Sequence, residues 1–290
     1  MLQQVNSAQF VTHPLVEQWV LYMRFRNLSP RTWIEQSRTI CRIARETGVD
    51  PTEFSASQLQ HWFIHTDIAP SSMATYYAAI RSWSLWLVRN GHRLDNPTDL
   101  LDSPRVPRST AKPITTEQLN ALLDSDIAPE TRAKVVLGAY AGLRVSEMAN
   151  IRGSDFDLSA NQLHVRGKGG SVDPVPLHPA VRALTEHWQT SGYWFPSPSR
   201  PGPVLGHSVS TVLGNAMKRV GIYGGHPHQL RHWLATELTR RGVPTRVVQV
   251  IMRHANLATT ARYIQVAENT QQDAIAILPM PRFWSLDYAS

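Results

Sequence analysis

Apolar residues recur at helical spacing through the first hundred positions. Leu15, Trp19, Tyr22 and Met23 predict one helix. Ser29-Pro30 then supplies an N-cap with proline in the first turn, and Ile34, Ile40, Ile43 and Ala44 line one face up to Gly48. A shorter helix is predicted over residues 57–65. A fourth begins near Ser71-Ser72 and ends at Gly91, with Tyr76, Ile80, Trp83, Leu87 and Val88 along one side. These four helices form a module over residues 1–94. Periodicity then lapses across 95–112, where Pro97, Pro104 and Pro107 stand just ahead of Pro113. Proline fixes its own φ and cannot donate a backbone hydrogen bond, so the stretch reads as a linker. Arg105, Arg108 and Lys112 make that linker basic. Two readings suit it equally: a solvated connector, or a strap over a polyanion.

The pattern restarts at Thr115, which forms a capping box with Gln118 ahead of Leu119, Leu122 and Leu123. A helix from about Pro129 ends at Gly142, and a short one follows Ser146. Residues 163–166 and 172–177 read as two short strands around Gly167-Lys168-Gly169-Gly170, a hairpin. Helices are predicted over 179–189, 207–220, 228–240, 244–252 and 257–264. A last apolar-periodic piece runs from Ala274 to Leu278. The fold class expected is mainly α with a small β-hairpin or sheet, the second domain covering 113–290.

Composition narrows the function. The 290 residues carry a net charge of +7, and only four of the 29 basic residues are lysine. Arginine is the better bidentate phosphate ligand, so nucleic acid is a plausible partner, although a GC-rich coding source favours arginine as well. The single cysteine, Cys41, excludes an intrachain disulfide and a multi-cysteine zinc site, and fits a reducing cytoplasm. No apolar run approaches the ~18 residues of a membrane span, and Met1 to Phe10 does not read as a signal peptide.

Six residues stand out as candidates for chemistry. Arg144 follows Gly142 at a tight junction between helices, or is simply a surface partner of Glu147. Lys168 sits between glycines at the hairpin tip, where a ligand backbone can approach closely, but solvated turns have the same composition. His228 and Arg231 share a helix face beside Leu230, Leu234 and Leu238. They read either as cleft-facing groups or as a core-buttressing histidine and a salt-bridged arginine, while His232 is expected to point elsewhere. His254 closes one helix and Tyr263 lies in the next. A tyrosine with reference pKa ~10 becomes a nucleophile only where cations stabilise its phenolate; otherwise it is a core aromatic. No histidine helix with a third metal ligand is evident, so neither a metal nor another cofactor is expected.

Taken in order, Arg…Lys…His-x-x-Arg…His…Tyr resembles the tyrosine recombinases, the phage integrase and Xer-like family. The phrases that carry the likeness are Gly142-Leu143-Arg144-Val145-Ser146-Glu147, Val165-Arg166-Gly167-Lys168-Gly169, His228-Gln229-Leu230-Arg231-His232 and His254-Ala255-Asn256-Leu257 running to Tyr263. Residues 1–94 look like the family's SAM-like helical core-binding domain, and residues 113–290 like its mixed α/β catalytic domain. Two departures stand out. The family usually has glycine where Arg253 precedes His254, and Xer-like members tend to follow the tyrosine with Thr-His, where this chain has Ile264-Gln265.

The resemblance implies a site-specific recombinase or integrase of phage or another mobile element. It cleaves and rejoins DNA through a 3′-phosphotyrosyl intermediate on Tyr263, without metal or ATP. Arg144 and Arg231 would clamp the phosphate, Lys168 protonate the 5′-oxygen, and His228 and His254 assist. The partner implied is double-stranded DNA, held by a homotetramer across two sites and by a protein that is monomeric when free. The tail from about Glu268 would pack into a neighbouring protomer. DNA-reading candidates are Tyr76, Tyr77 and Arg81, with a core role for either aromatic equally open. A binding protein that does not cut, and a relaxing or hairpin-forming enzyme with the same chemistry, remain competing readings.

Overall fold

The computed structural model describes residues 13–105, 113–167, 170–253, 271 and 273–280. The chain divides into two compact units, Met1–Ser109 and Thr110–Ser290.

Unit 1 is helical: α1 (Pro14–Phe25), α2 (Pro30–Thr47), α3 (Ala56–His65) and α4 (Pro70–Arg89). The sequence signals explain the ends. The Ser29 hydroxyl accepts from the Thr32 amide at 3.2 Å to open α2, and Gly48 closes it with a left-handed φ of +70°. Ser55 and Gln58 form a capping box on α3. The core is aromatic. Trp19 and Trp83 are fully buried with ring centroids 5.2 Å apart, and Trp86 stacks on Trp83. The stretch expected as linker is partly built into this unit. Residues Pro97–Leu100 form a 3-10 turn in which Pro97 and Thr98 are buried, and the Tyr77 hydroxyl donates to the Thr98 and Leu101 carbonyls. Thus the proline that ends periodicity also starts a turn capped by Asn96. Residues 106–112 lie outside the described residues.

Unit 2 holds a larger core around α6 (Pro129–Tyr140), whose every residue from Ala133 to Tyr140 is buried. α5 (Thr116–Asp124) starts at the expected capping box, with the Gln118 amide donating to the Thr115 hydroxyl at 3.2 Å. α7 (Val145–Ala149) follows α6 directly. The predicted hairpin is a three-stranded antiparallel sheet in the order β1 (Phe156–Asp157), β2 (Gln162–Arg166), β3 (Val172–Pro176). β1 is too short to show alternation in the sequence. The next helix is shorter than predicted: α8 (Pro179–Leu184) gives way at Thr185 to i→i−3 turns, and the Thr185 hydroxyl bonds back to the Arg182 carbonyl. α9 (Gly206–Arg219), α10 (His228–Arg240) and α11 (Thr245–Ile251) complete the unit. The helix expected over 257–264 lies outside the described residues. Residues 273–276 are helical, and Ala274, Ile275 and Leu278 are buried in this chain's own core. The Leu278 carbonyl accepts from buried His178 at 3.1 Å. Among the described residues, no helix is long and apolar enough to cross a membrane.

Candidate active site

The site grows from one backbone corner. α6 ends at Tyr140, and Gly142 turns the chain with φ +60° so that Arg144 can cap α7. A side chain at 142 is strained by that φ, and its Cβ would meet Leu234 Cδ2 at 3.0 Å. The Arg144 amide donates to Glu147 Oε2 at 2.8 Å, and its guanidinium Nη1 donates to Glu147 Oε1 at 2.7 Å. Its other terminal nitrogen reaches the Arg253 carbonyl at 3.2 Å. Glu147 is the third residue of α7, where a carboxylate suits the helix dipole and returns to the cap amide.

Arg231 comes to the same corner from α10. Its face neighbours Leu230, Leu234 and Leu238 are fully buried as expected, and Arg231 itself is only 1% exposed. Its two terminal nitrogens donate to the Gly142 and Met252 carbonyls. Among the described residues, Arg231 is therefore held by the ends of α6 and α11 and not by a carboxylate partner. Burial and the charges of Arg253 and Arg144 push its pKa down to about 9, the environment of a site that awaits an anion.

His228 opens α10 and is exposed. Partial burial, then the neighbours His232, Arg231, His226 and Arg144, push its imidazole down to about 4, so it is neutral at pH 7. His232 does not point away as the sequence suggested: its ring packs edge-on against His228 at 4.4 Å, the contact that i,i+4 spacing allows. The hairpin brings β2 and β3 together in the register Arg166↔Val172, and the Gly167 amide donates to the Ser171 carbonyl at 2.7 Å. A Cβ on Gly167 would lie 2.5 Å from Ser171 Oγ, so a larger residue there must displace that hydroxyl. Lys168, His254 and Tyr263 lie outside the described residues.

Two residues complete this corner. Arg253, flagged by sequence only as a departure, donates to Glu147 Oε2 at 2.8 Å and to the Gly142 carbonyl at 3.2 Å. Burial pushes the Glu147 carboxyl up, but the Arg253 and Arg144 charges and the Arg144 amide bond hold it below its ordinary value. Two guanidiniums thus share one carboxylate, and with Arg231 beside them the corner keeps surplus positive charge. The Glu147 role had a signal, a glutamate three residues past a helix start. The Met252 carbonyl had none, since any residue type carries one. Among the described residues, no group of three metal-ligating side chains converges.

In unit 1, Tyr22, Arg26, Tyr77, Arg81, Trp86 and Arg89 line an open cleft of about 580 Å³, and no acidic residue lines it. Tyr76 lines another cleft, accepting from Arg42 at 3.1 Å and packing edge-on against Trp62. Both tyrosines serve the unit's packing, and Arg81 alone of the three DNA-reading candidates is exposed.

Known proteins resemble this chain in sequence and fold. The profile of the phage integrase family matches residues 112–270. The tyrosine recombinase XerC of Shigella flexneri serotype 5b is 31% identical over 273 residues, covering 87% of this chain and 91% of its own. An integrase from mycobacterium phage Brujita is 35% identical, with TM-score 0.55 over 90% of this chain and 91% of that one. A lambda integrase tetramer bound to a Holliday junction is 17% identical with TM-score 0.65, over 86% and 79% of the two chains, a likeness of fold.

Proposed function

The chain belongs to the phage integrase family, the tyrosine recombinases, and from that premise we propose that it cleaves and rejoins DNA at specific sites through a 3′-phosphotyrosyl bond to Tyr263. The observation that carries the reading is the meeting of Arg144 and Arg231 at one backbone corner: Arg231 donates to the carbonyls that follow α6 and α11, and Arg144 to the Arg253 carbonyl beside them. There they supply fixed donors where phosphate charge develops, each worth ~2.7–4 kcal/mol by analogy with oxyanion holes. The Tyr263 oxygen attacks the scissile phosphorus as the bond to the 5′-oxygen breaks. Lys168 donates a proton to that oxygen. The neutral imidazole of His228 accepts the phenol proton or a phosphate hydrogen bond, and His254 donates to the phosphate. A 5′-hydroxyl from another strand then attacks the phosphotyrosine, which releases the tyrosine and restores the diester. The bond energy stays in the phosphotyrosine, so the cycle takes neither ATP nor metal.

In the same reading unit 1 is the core-binding domain, unit 2 the catalytic domain, and four copies act on two duplexes in the cytoplasm. The basic cleft of unit 1 supports the DNA assignment, because its arginines face solvent with no lining carboxylate.

The test is a nicked suicide duplex, which traps the covalent adduct by losing its 5′-hydroxyl strand. The expected outcome is an adduct with the parent chain and none with Tyr263→Phe. An adduct that persists in Tyr263→Phe overturns the nucleophile assignment. A 5′-bridging phosphorothioate, a better leaving group, should rescue Lys168→Ala but not Arg144→Ala. The reaction should proceed unchanged in EDTA.

A further inference from the structure

Arg253 is an odd residue for its place. Its φ of +49° lies in the left-handed region, which costs a non-glycine residue about 1–2 kcal/mol. Its side chain is 6% exposed, so the strain is not relieved by freedom in solvent. The same guanidinium reaches the Glu147 carboxylate at 2.8 Å, and the carbonyl accepts from Arg144 at 3.2 Å. One residue therefore touches both members of the Arg144–Glu147 pair.

The charge arithmetic gives this contact a purpose. A lone Glu147 would neutralise Arg144 and compete with phosphate for its guanidinium. With Arg253 present, Glu147 spends Oε2 on a second cation and keeps Oε1 for Arg144. The carboxylate then orients Arg144 while the corner stays positive. We propose that Arg253 is a positioning residue for strand cleavage: it holds Glu147 so that Glu147 aims Arg144 at the phosphate without cancelling its charge. This rests on the cleavage reading above, and Arg253 acts through Glu147 and Arg144 rather than on the reacting atoms.

The described charged groups around Glu147 enter the test. Arg144 faces it from its own helix start, Arg253 from the end of α11, and Arg231 from α10, while Asp173 on β3 acts on Arg253. Removing Arg253 takes away a positive neighbour, so the Glu147 carboxyl must titrate at higher pH.

The experiment measures single-turnover adduct formation on the suicide duplex at saturating DNA, with affinity measured separately in a Tyr263→Phe background. Arg253→Gly, the residue the family usually carries, relaxes the backbone and removes the guanidinium; Arg253→Lys keeps the charge. Arg253→Gly should slow cleavage roughly 10²-fold, the scale of a small misplacement at a reacting centre. Its DNA affinity should stay within about 3-fold, because the other site cations remain. The acid-side loss of cleavage should move to higher pH, and Arg253→Lys should recover part of the rate. Glu147→Gln should also slow cleavage, and the double variant should be no slower than Glu147→Gln alone, as residues on one path are non-additive. An Arg253→Gly rate equal to the parent's, an unshifted acid limb, or additive losses in the double variant overturns the proposal while the cleavage reading stands. A parent chain that forms no adduct overturns the cleavage reading first, and this inference with it.

Discussion

The two units use arginine in opposite ways. In unit 1, Arg26, Arg81 and Arg89 are exposed around an open cleft that no carboxylate lines. In unit 2, Arg144, Arg231 and Arg253 converge on one corner, and each is tied to a backbone carbonyl or to Glu147. The first arrangement supplies a field, adaptable and sensitive to salt. The second supplies fixed donors whose orientation is settled before a ligand arrives, at the cost of burying charge. A protein that must hold a long polyanion and also stabilise one phosphate at one instant needs both.

The sharpest way to break this comparison is at its most buried member. Arg231→Met fits the apolar surroundings of Leu230, Leu234 and Leu238 but takes the Arg231 donor from the Met252 carbonyl and leaves the Gly142 carbonyl only its bond from Arg253. A buried acceptor losing its partner should cost about 1–3 kcal/mol. Denaturant unfolding should show that loss, and cleavage of the suicide duplex should fall by about 10²–10³ or more. If Arg231→Met is as stable as the parent, the corner is not pre-organised and unit 2 resembles unit 1.

The difference between the units also decides what the sequence could reveal. Unit 1 was legible because its ends rest on local chemistry: Ser29 capping Thr32, Ser55 with Gln58, and Gly48 in its left-handed turn. The candidate site was legible as a set of residue types in order, with the His228–Arg231 face and the Gly142 turn set by helical spacing. Its wiring was not. Arg231 bonds to carbonyls 89 and 21 positions away, and Glu147 is shared between residues 3 and 106 positions away. Carbonyls have no residue signature, and such separations are fixed only by packing. The same reason hid β1, which gains its strand character from pairing Phe156 with Leu163.

A smaller effect follows from histidines of unit 2 whose charged forms are disfavoured. His178, His228 and His232 all have imidazoles pushed below the ordinary value, each chiefly by burial. A depressed histidine binds fewer protons folded than unfolded, so stability is lost as pH falls from about 6.5 through the folded values. His178 matters most here, since it is fully buried, accepts from the Ala180 amide and donates to the Leu278 carbonyl. Protonation removes the acceptor that caps α8. Melting followed from pH 7.5 to 4.5 should show unit 2 losing stability across this window, and His178→Asn should flatten the loss. A profile that His178→Asn leaves unchanged removes this residue from the account.

The smallest effect tests the open side of the comparison. If Arg81 and Arg89 act as a field, each contacts phosphate without fixed geometry. Arg81→Gln and Arg89→Gln should then weaken DNA binding alike on specific and unrelated duplexes. Each should also lower the slope of log affinity against log salt by about 1. Stability should hold, because both side chains are exposed and no carboxylate lines their cleft. Cleavage at saturating DNA should also hold, since neither belongs to the arginine corner of unit 2. A loss confined to one duplex sequence would instead make the cleft a base reader. A loss of cleavage at saturation would mean that unit 1 also orients the reacting strand, and the division between field and fixed donors would fall.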